Sequence, residues 1–388
     1  MIFACKKVQV LLLASLLGAV NFVYAQTDEQ LPAEKTRKEQ RAAKNRENWQ
    51  KFKEKVSLNG WVDFQYAYNY QDLNDGKNDQ SNVFQIRRAR LDVKGNLTPK
   101  ISFRLQGDLA NTPKLIDAFA KVNFCKYIAV QAGQFKIPFS IENAYSPLNL
   151  EFADNAQVVS ALSGYSDVTG ISSYANGREM GVMLSGTLAE YTRNEEKIPI
   201  LEYSIGVFGG NGINVKKDNM AKDVSGRLDF HPFLKDLVLS ASAYLGTYTM
   251  QNADGRYGKR NRFAVGAEYK NKNLTIRSEY IWGTTGFYDT TLASLYYLET
   301  RGIYLTAGYW FHFGWGKNSS VQQKLRPVLR VDFYQKDIDA KRNSLYYSAG
   351  VDWWPEKHLR LQVNYVLKQQ QQYKALGHSL VTMLSVKF

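Results

Sequence analysis

Cysteine, histidine and proline are scarce in this chain, and beyond residue 25 no apolar run approaches the ~20 residues that a membrane-spanning helix needs. Its 388 residues include 2 Cys, 4 His and 9 Pro. Each shortage excludes something. Cys5 lies in the first stretch, so Cys125 is the one thiol left after it and cannot close an internal disulfide. The histidines are His231, His312, His358 and His378, with His231 and His358 in or beside tight turns. They show no metal-ligand spacing, and neither HExxH nor GxSxG occurs. No nucleophile–base pair is set up, so no catalytic residue, metal or cofactor is expected. Charge of one sign is not concentrated either. The formal net charge is +14, but residues 26–55 mix nine basic with six acidic residues. A dispersed excess on an exported chain argues against a nucleic-acid partner.

What is present first is an export signal. Lys6 and Lys7 precede the apolar core "VQVLLLASLLGAV", and "VYA" before Gln26 is a small-residue cleavage site. Residues 1–25 are therefore read as a signal peptide. The run is too short for an anchor, and Cys5 precedes the core, where a lipoprotein cysteine would follow it. Residues 26–55 have no Gly, many helix formers and few apolar residues, among them Ala42, Ala43, Trp49 and Phe52. They read as a solvated helical or disordered periplasmic lead-in.

From Val56 the period changes to two. "ISFRLQGDL" sets Ile101, Phe103, Leu105 and Leu109 against Ser102, Arg104, Gln106 and Asp108, and many later stretches do the same. The 25 Tyr and 20 Phe favour strands. Sixteen are predicted: 56–70, 83–95, 99–110, 114–124, 127–136, 178–190, 199–209, 221–231, 236–248, 260–271, 273–284, 301–313, 323–334, 345–353, 358–370 and 376–388. Tight connections such as "NLTPK" and "WPEK" alternate with longer polar ones such as "GTTGFYDTTLASLYYLET". Strands of this length, short turns at one end and aromatics such as Trp61, Tyr127, Trp282, Trp310, Trp315 and Trp354 near strand ends match an antiparallel transmembrane β-barrel over residues 56–388 with periplasmic turns. A soluble sandwich is the competing architecture.

"VFQIRRARLDVKG" then makes sense. By parity with Ala89, Leu91 and Val93, its inward set is Arg88, Arg90, Asp92 and Lys94. The same reasoning places Arg104, Lys121, Arg227, Arg262, Arg277, Arg330 and Arg360 inward, with Asp108, Asp117, Asp229, Glu268, Glu279, Asp332 and Lys368. A water-filled lumen tolerates such groups; a dry core does not. Arg87 has outward parity, so it is expected near the outer interface, at a bulge or in a subunit contact. The chain ends on Phe388, which resembles the terminal aromatic by which barrel assembly machinery recognises a last strand.

"IRRARLDVKGNLTPKISFRLQGDLAN", "KLIDAFAKVNF" and "VQAGQFKIPFSIEN" resemble the phosphate-selective porin O and P family, as do "GREMGVMLSG", "YSIGVFGGNG" and "VDWWPEKHLRLQVNYV". The resemblance runs from about Gly60 onward. It implies sixteen strands, a homotrimer in the outer membrane of a Gram-negative bacterium, and a third extracellular loop folded into the lumen as a constriction. That loop corresponds to residues 137–177. It departs from a phosphate filter, for it has no Lys or Arg and carries Glu142, Glu151, Asp154 and Asp167. The expected function is passive diffusion of small solutes, anions such as phosphate foremost. A general or differently selective porin, an outer-membrane enzyme and a structural barrel are the alternatives.

Overall fold

A computed structural model describes residues 41, 43–46, 55–73, 78–163, 167–169, 177–193, 195–215, 222–232, 234, 236–250, 257–314 and 322–388. The chain divides into two units, Met1–Glu54 and Lys55–Phe388. In the first, Arg41 and residues 43–46 are helical. The expected signal peptide lies outside the described residues.

The second unit is a closed antiparallel barrel of sixteen strands. They are β1 (Val56–Asp72), β2 (Asn78–Asn96), β3 (Ile101–Asp108), β4 (Lys114–Cys125), β5 (Ile128–Lys136), β6 (Arg178–Arg193), β7 (Glu196–Phe208) and β8 (Asp223–Phe230). They continue as β9 (Leu237–Thr249), β10 (Tyr257–Lys270), β11 (Leu274–Asp289), β12 (Ser294–Tyr309, resuming as Phe311–Gly314), β13 (Gln322–Asp337), β14 (Arg342–Glu356), β15 (Leu359–Gln370) and β16 (Gly377–Lys387). Each pairs with its sequence neighbours, and β16 returns to β1 from Trp61↔Lys387 to Tyr70↔His378. Closure removes the unpaired edge that an open sheet would expose. All sixteen predicted strands are present. Several run further than expected, because Tyr, Thr and Leu beyond the predicted ends still pair. The supposed long loop between β11 and β12 is mostly hairpin, with Asp289 opposite Ser294.

The barrel is inside-out relative to a soluble protein. Leu91, Leu184, Val207, Leu228, Val265, Leu305 and Leu329 are exposed, while Asp63, Arg88, Arg90, Arg277, Asp332 and Arg360 are buried. An exposed apolar wall around a charged interior suits lipid outside and polar contents within, and it excludes the soluble sandwich. The outward aromatics near strand ends are in part other residues than those predicted, among them Phe124, Tyr257, Tyr297, Tyr309 and Phe311. Trp282 and Tyr127 do face outward. Trp61, by contrast, is buried beneath the Arg90 guanidinium, and Trp310 and Trp354 lie under Lys324. Trp315 lies outside the described residues.

Two bulges re-aim side chains. Asp63 opposes Arg88 and Phe64 opposes Ile86, so Arg87 is the extra residue in β2. Likewise Gln106 opposes Asp117 and Gly107 opposes Leu115, which turns both Ile116 and Asp117 inward. A bulge lets two successive residues share a face.

The segment between β5 and β6 folds into the lumen. It carries two short helices, α1 (Ile141–Ala144) and α2 (Gln157–Ser163), with a 3-10 turn at Pro147–Asn149 between them. Its apolar residues Phe139, Val158, Val159 and Leu162 pack on wall residues Phe135, Phe208, Ala264, Ile281 and Tyr304. The molecule's main apolar core is thus inside the pore, where it fixes the loop.

Candidate functional site

The lumen is built from inward residues of the wall and from this third loop. The loop begins at a strained corner: Ser140 has φ 65°, a left-handed value uncommon for a residue with a Cβ. Glu279 of β11 holds that corner. Its carboxylate accepts from Ser140 Oγ at 3.0 Å, Ile141 N at 2.6 Å and Glu142 N at 3.0 Å, and from Tyr304 Oη at 2.7 Å. Charge-assisted bonds to backbone amides are among the stronger hydrogen bonds, which is why the corner persists. Lys136 closes the other side, donating to Asn143 O at 2.5 Å and Tyr145 O at 2.6 Å.

The loop then runs across β13, β14 and β15. Arg360 donates to Leu150 O at 2.7 Å and to Asp352 at 2.7 Å, and Arg326 bridges Leu150 O, Glu151 and Asp352. Glu151 also pairs with Arg277. Gln362 donates to Glu151 O at 2.7 Å, and Ala153 N donates to Asn364 Oδ1 at 2.9 Å. Asp154 pairs with Arg87 of β2, and its carbonyl accepts from Arg330 at 2.9 Å. On the returning limb Gln157 N donates to Asp332 at 2.7 Å, and Arg262 donates to Asp167 at 2.9 Å and to Leu162 O at 2.7 Å.

The predicted basic residues thus divide. Arg262, Arg277, Arg330 and Arg360 lie against the third loop, and Arg227 reaches it through Ser140 O at 3.1 Å while pairing with Asp229 at 2.8 Å. Arg88, Arg90 and Arg104 belong to wall pairs with Asp63 at 3.1 Å, Asp108 at 2.9 Å and Asp92 at 2.8 Å. Lys121 is half-buried and makes no ion pair among the described residues. Of the four loop acids, Glu151, Asp154 and Asp167 each meet a wall arginine. Glu142 is buried and accepts from Ala156 N at 2.8 Å. Most of the loop's acidic charge is thus spent in holding the loop.

Arg87 sits at a bulge, one of the three placements expected for it, and that bulge turns it into the lumen, where it meets Asp154. Parity did contain a signal for Arg260 and Arg326, which share a face with Arg262 and Arg330, yet neither was singled out. Arg260 pairs with Asp223 at 2.7 Å, and Arg178 pairs with Asp117 at 2.6 Å. The counter-charges Asp63 and Asp352 also sat at inward parity.

The loop acids titrate as their partners dictate. Burial alone would raise the Glu151 carboxyl, but Arg277 and then Arg326 outweigh it and hold the group below the usual carboxylate range. Arg262 does the same for the buried Asp167. Glu142 has no such direct partner, and burial pushes it up.

A sixteen-stranded barrel with an inward loop and a charged lumen is porin geometry. The family model for phosphate-selective porin O and P matches residues 58–279. This chain belongs to that family. It is a porin of the Gram-negative outer membrane. Solved structures agree on the fold. An anion-selective porin from Comamonas acidovorans is 14% identical, with 86% of this chain and 99% of that one covered and a TM-score of 0.61. The outer membrane channel DcaP of Acinetobacter baumannii is 15% identical over 86% and 97% of the two chains, with a TM-score of 0.57. OmpT, an outer membrane protein of Vibrio cholerae in its trimer form, is 11% identical over 86% and 99%, with a TM-score of 0.55. No curated protein matches the sequence. Family and fold together make this porin a channel rather than an enzyme.

Proposed function

We propose that this porin passes small hydrophilic anions, phosphate among them, down their concentration gradient. The observation that carries the reading is where opposite charges sit relative to water. The Arg104 side chain is 32% exposed, while its partners Asp92 and Asp117 are 7% and 3% exposed. Solutes therefore meet the guanidinium, with the carboxylates behind it. Lys121, without an ion pair among the described residues, adds a second cation on the neighbouring strand β4. Guanidinium and ammonium groups facing a narrowed lumen favour anions over cations. The burial of Glu151 and Asp167 removes the argument for a cation filter. The family name and the anion-selective porin of the same fold support the same class of solute.

A general-diffusion porin is the second reading. It is favoured by the near-complete pairing of wall arginines with carboxylates. Under either reading residues 1–25 serve as the export signal, 26–55 as a periplasmic lead-in and 56–388 as the channel, which assembles as a homotrimer after Phe388 is recognised by barrel assembly machinery. The trimer form of the Vibrio cholerae protein supports that assembly.

The reversal potential in a planar bilayer across a KCl gradient, repeated with inorganic phosphate, separates the two. Chloride preference with phosphate block of the current is expected. Cation preference, or no preference and no block, would leave the general porin.

A further inference from the structure

Asp154 differs from its companions. Its side chain is 58% exposed, whereas those of Glu151 and Asp167 are 3% and 2% exposed. The groups around it are cationic. Arg87, only 11% exposed, pairs with the carboxylate after the β2 bulge has turned it inward. Arg330 is buried, and its Nη1 donates to the Asp154 carbonyl at 2.9 Å. Its Nε is buried without a hydrogen-bond partner, and no carboxylate lies within ion-pair distance of Arg330 among the described residues. Arg88, paired with Asp63, lies within electrostatic range of the same carboxylate. A buried guanidinium edge without an acceptor is costly unless something serves it. The acid that meets Arg87 here is water-exposed and tethered to a loop held elsewhere by Glu151 and Asp167.

We propose that Arg87, Arg88 and Arg330 form a seat for a small oxyanion, and that the Asp154 carboxylate fills this seat until a solute anion displaces it. Carboxylate and phosphate oxygens take the same paired N–H donors from a guanidinium, so one can stand in for the other. A tethered competitor present at high effective concentration lowers the apparent affinity for every passing anion, and it also keeps the site from holding one too long. Asp154 is then a determinant of specificity that acts by competition. The inference rests on the anion-channel reading above.

The test compares full-length wild type, Asp154→Asn and Asp154→Glu in planar bilayers, reading chloride current against added inorganic phosphate. Asp154→Asn is expected to lower the half-blocking phosphate concentration by about tenfold and to move the reversal potential toward chloride. Asp154→Glu is expected to stay within about twofold of wild type. Arg87→Gln in the Asp154→Asn background is expected to abolish the gain. An unchanged half-block in Asp154→Asn overturns the seat, as does an Asp154→Glu protein that behaves like Asp154→Asn. If wild type prefers anions in either of those cases, the anion-channel reading survives alone. If neither wild type nor Asp154→Asn shows anion preference or block, both ideas fall. A mobility shift on heating in gels verifies that each variant is a folded barrel.

Discussion

Glu151 holds two guanidinium groups at once, Arg277 and Arg326, and all three side chains are almost fully buried. Removing the carboxylate takes from each buried guanidinium one of its two acidic partners, leaving Arg277 with Glu268 and Arg326 with Asp352, and breaking a buried pair typically costs about 3–5 kcal/mol. Glu151→Gln is therefore expected to undock the third loop, with cleavage there by an added protease rising roughly 100-fold. Unchanged cleavage would mean that the apolar contacts alone hold it. The same residues set a pH dependence. Glu151 and Asp167 titrate below the usual range, so their contribution is present above the unfolded value near ~4 and is lost as pH falls through their own lower values. Glu142 works the other way: its raised carboxyl contributes when protonated, and that contribution fades as pH rises through its shifted value. Docking is expected to hold from neutrality down to about pH 4 and to fail only in stronger acid. Single-channel conductance followed from about pH 7 to about pH 3 checks this. A step near pH 6 would contradict it.

At the level of elements, the β2 bulge does more than the strand's composition suggests. Arg87 interrupts an alternation that is otherwise continuous, with Ile86 outward before it and Arg88 inward after it. Deleting Arg87 is expected to leave a folded barrel, since the flanking residues then alternate without a break. Deleting Ala89 should not. It would reverse the parity between Arg88 and its successors, forcing charges such as Arg90 and Asp92 toward lipid, where a mid-bilayer Arg costs about 2–4 kcal/mol. Membrane yield of heat-modifiable barrel reads both, and equal yields would refute the assigned register. The seam between the first and last strands makes a similar demand. Gly60 and Phe388 exchange backbone bonds at 3.0 and 2.9 Å, and a Cβ on Gly60 would come within 2.4 Å of the Phe388 ring. Gly60→Ala is expected to cost about 1–3 kcal/mol of barrel stability, seen as a lower temperature for the heat-induced gel shift. If that temperature does not move, the ring has room to turn aside.

For the whole molecule, the alternation of residues by two determined the barrel. Lipid outside and water inside demand opposite chemistry at successive positions, and that demand is written locally, strand by strand. All sixteen strands, the charged inward face and the entry of a long segment between Lys136 and Arg178 could therefore be read from the sequence, the last through family resemblance. What the sequence could not give was who pairs with whom. Asp167 and Arg262 are 95 residues apart, as Glu151 and Arg277 are 126 apart, and nothing local links them. Four acids in a loop without a cation show no partners until the curvature of a closed wall brings arginines from β2, β10, β11 and β13 against three of them. Arg87 shows the same limit on a smaller scale. Its identity is local, but its direction depends on a two-against-one pairing with β1 that exists only once the strands are in register. The sequence by itself determined which faces are polar, because burial chemistry acts on each residue separately. Only the tertiary structure decided which charges are spent on each other and which remain for a solute, because that depends on distances between strands far apart in the chain.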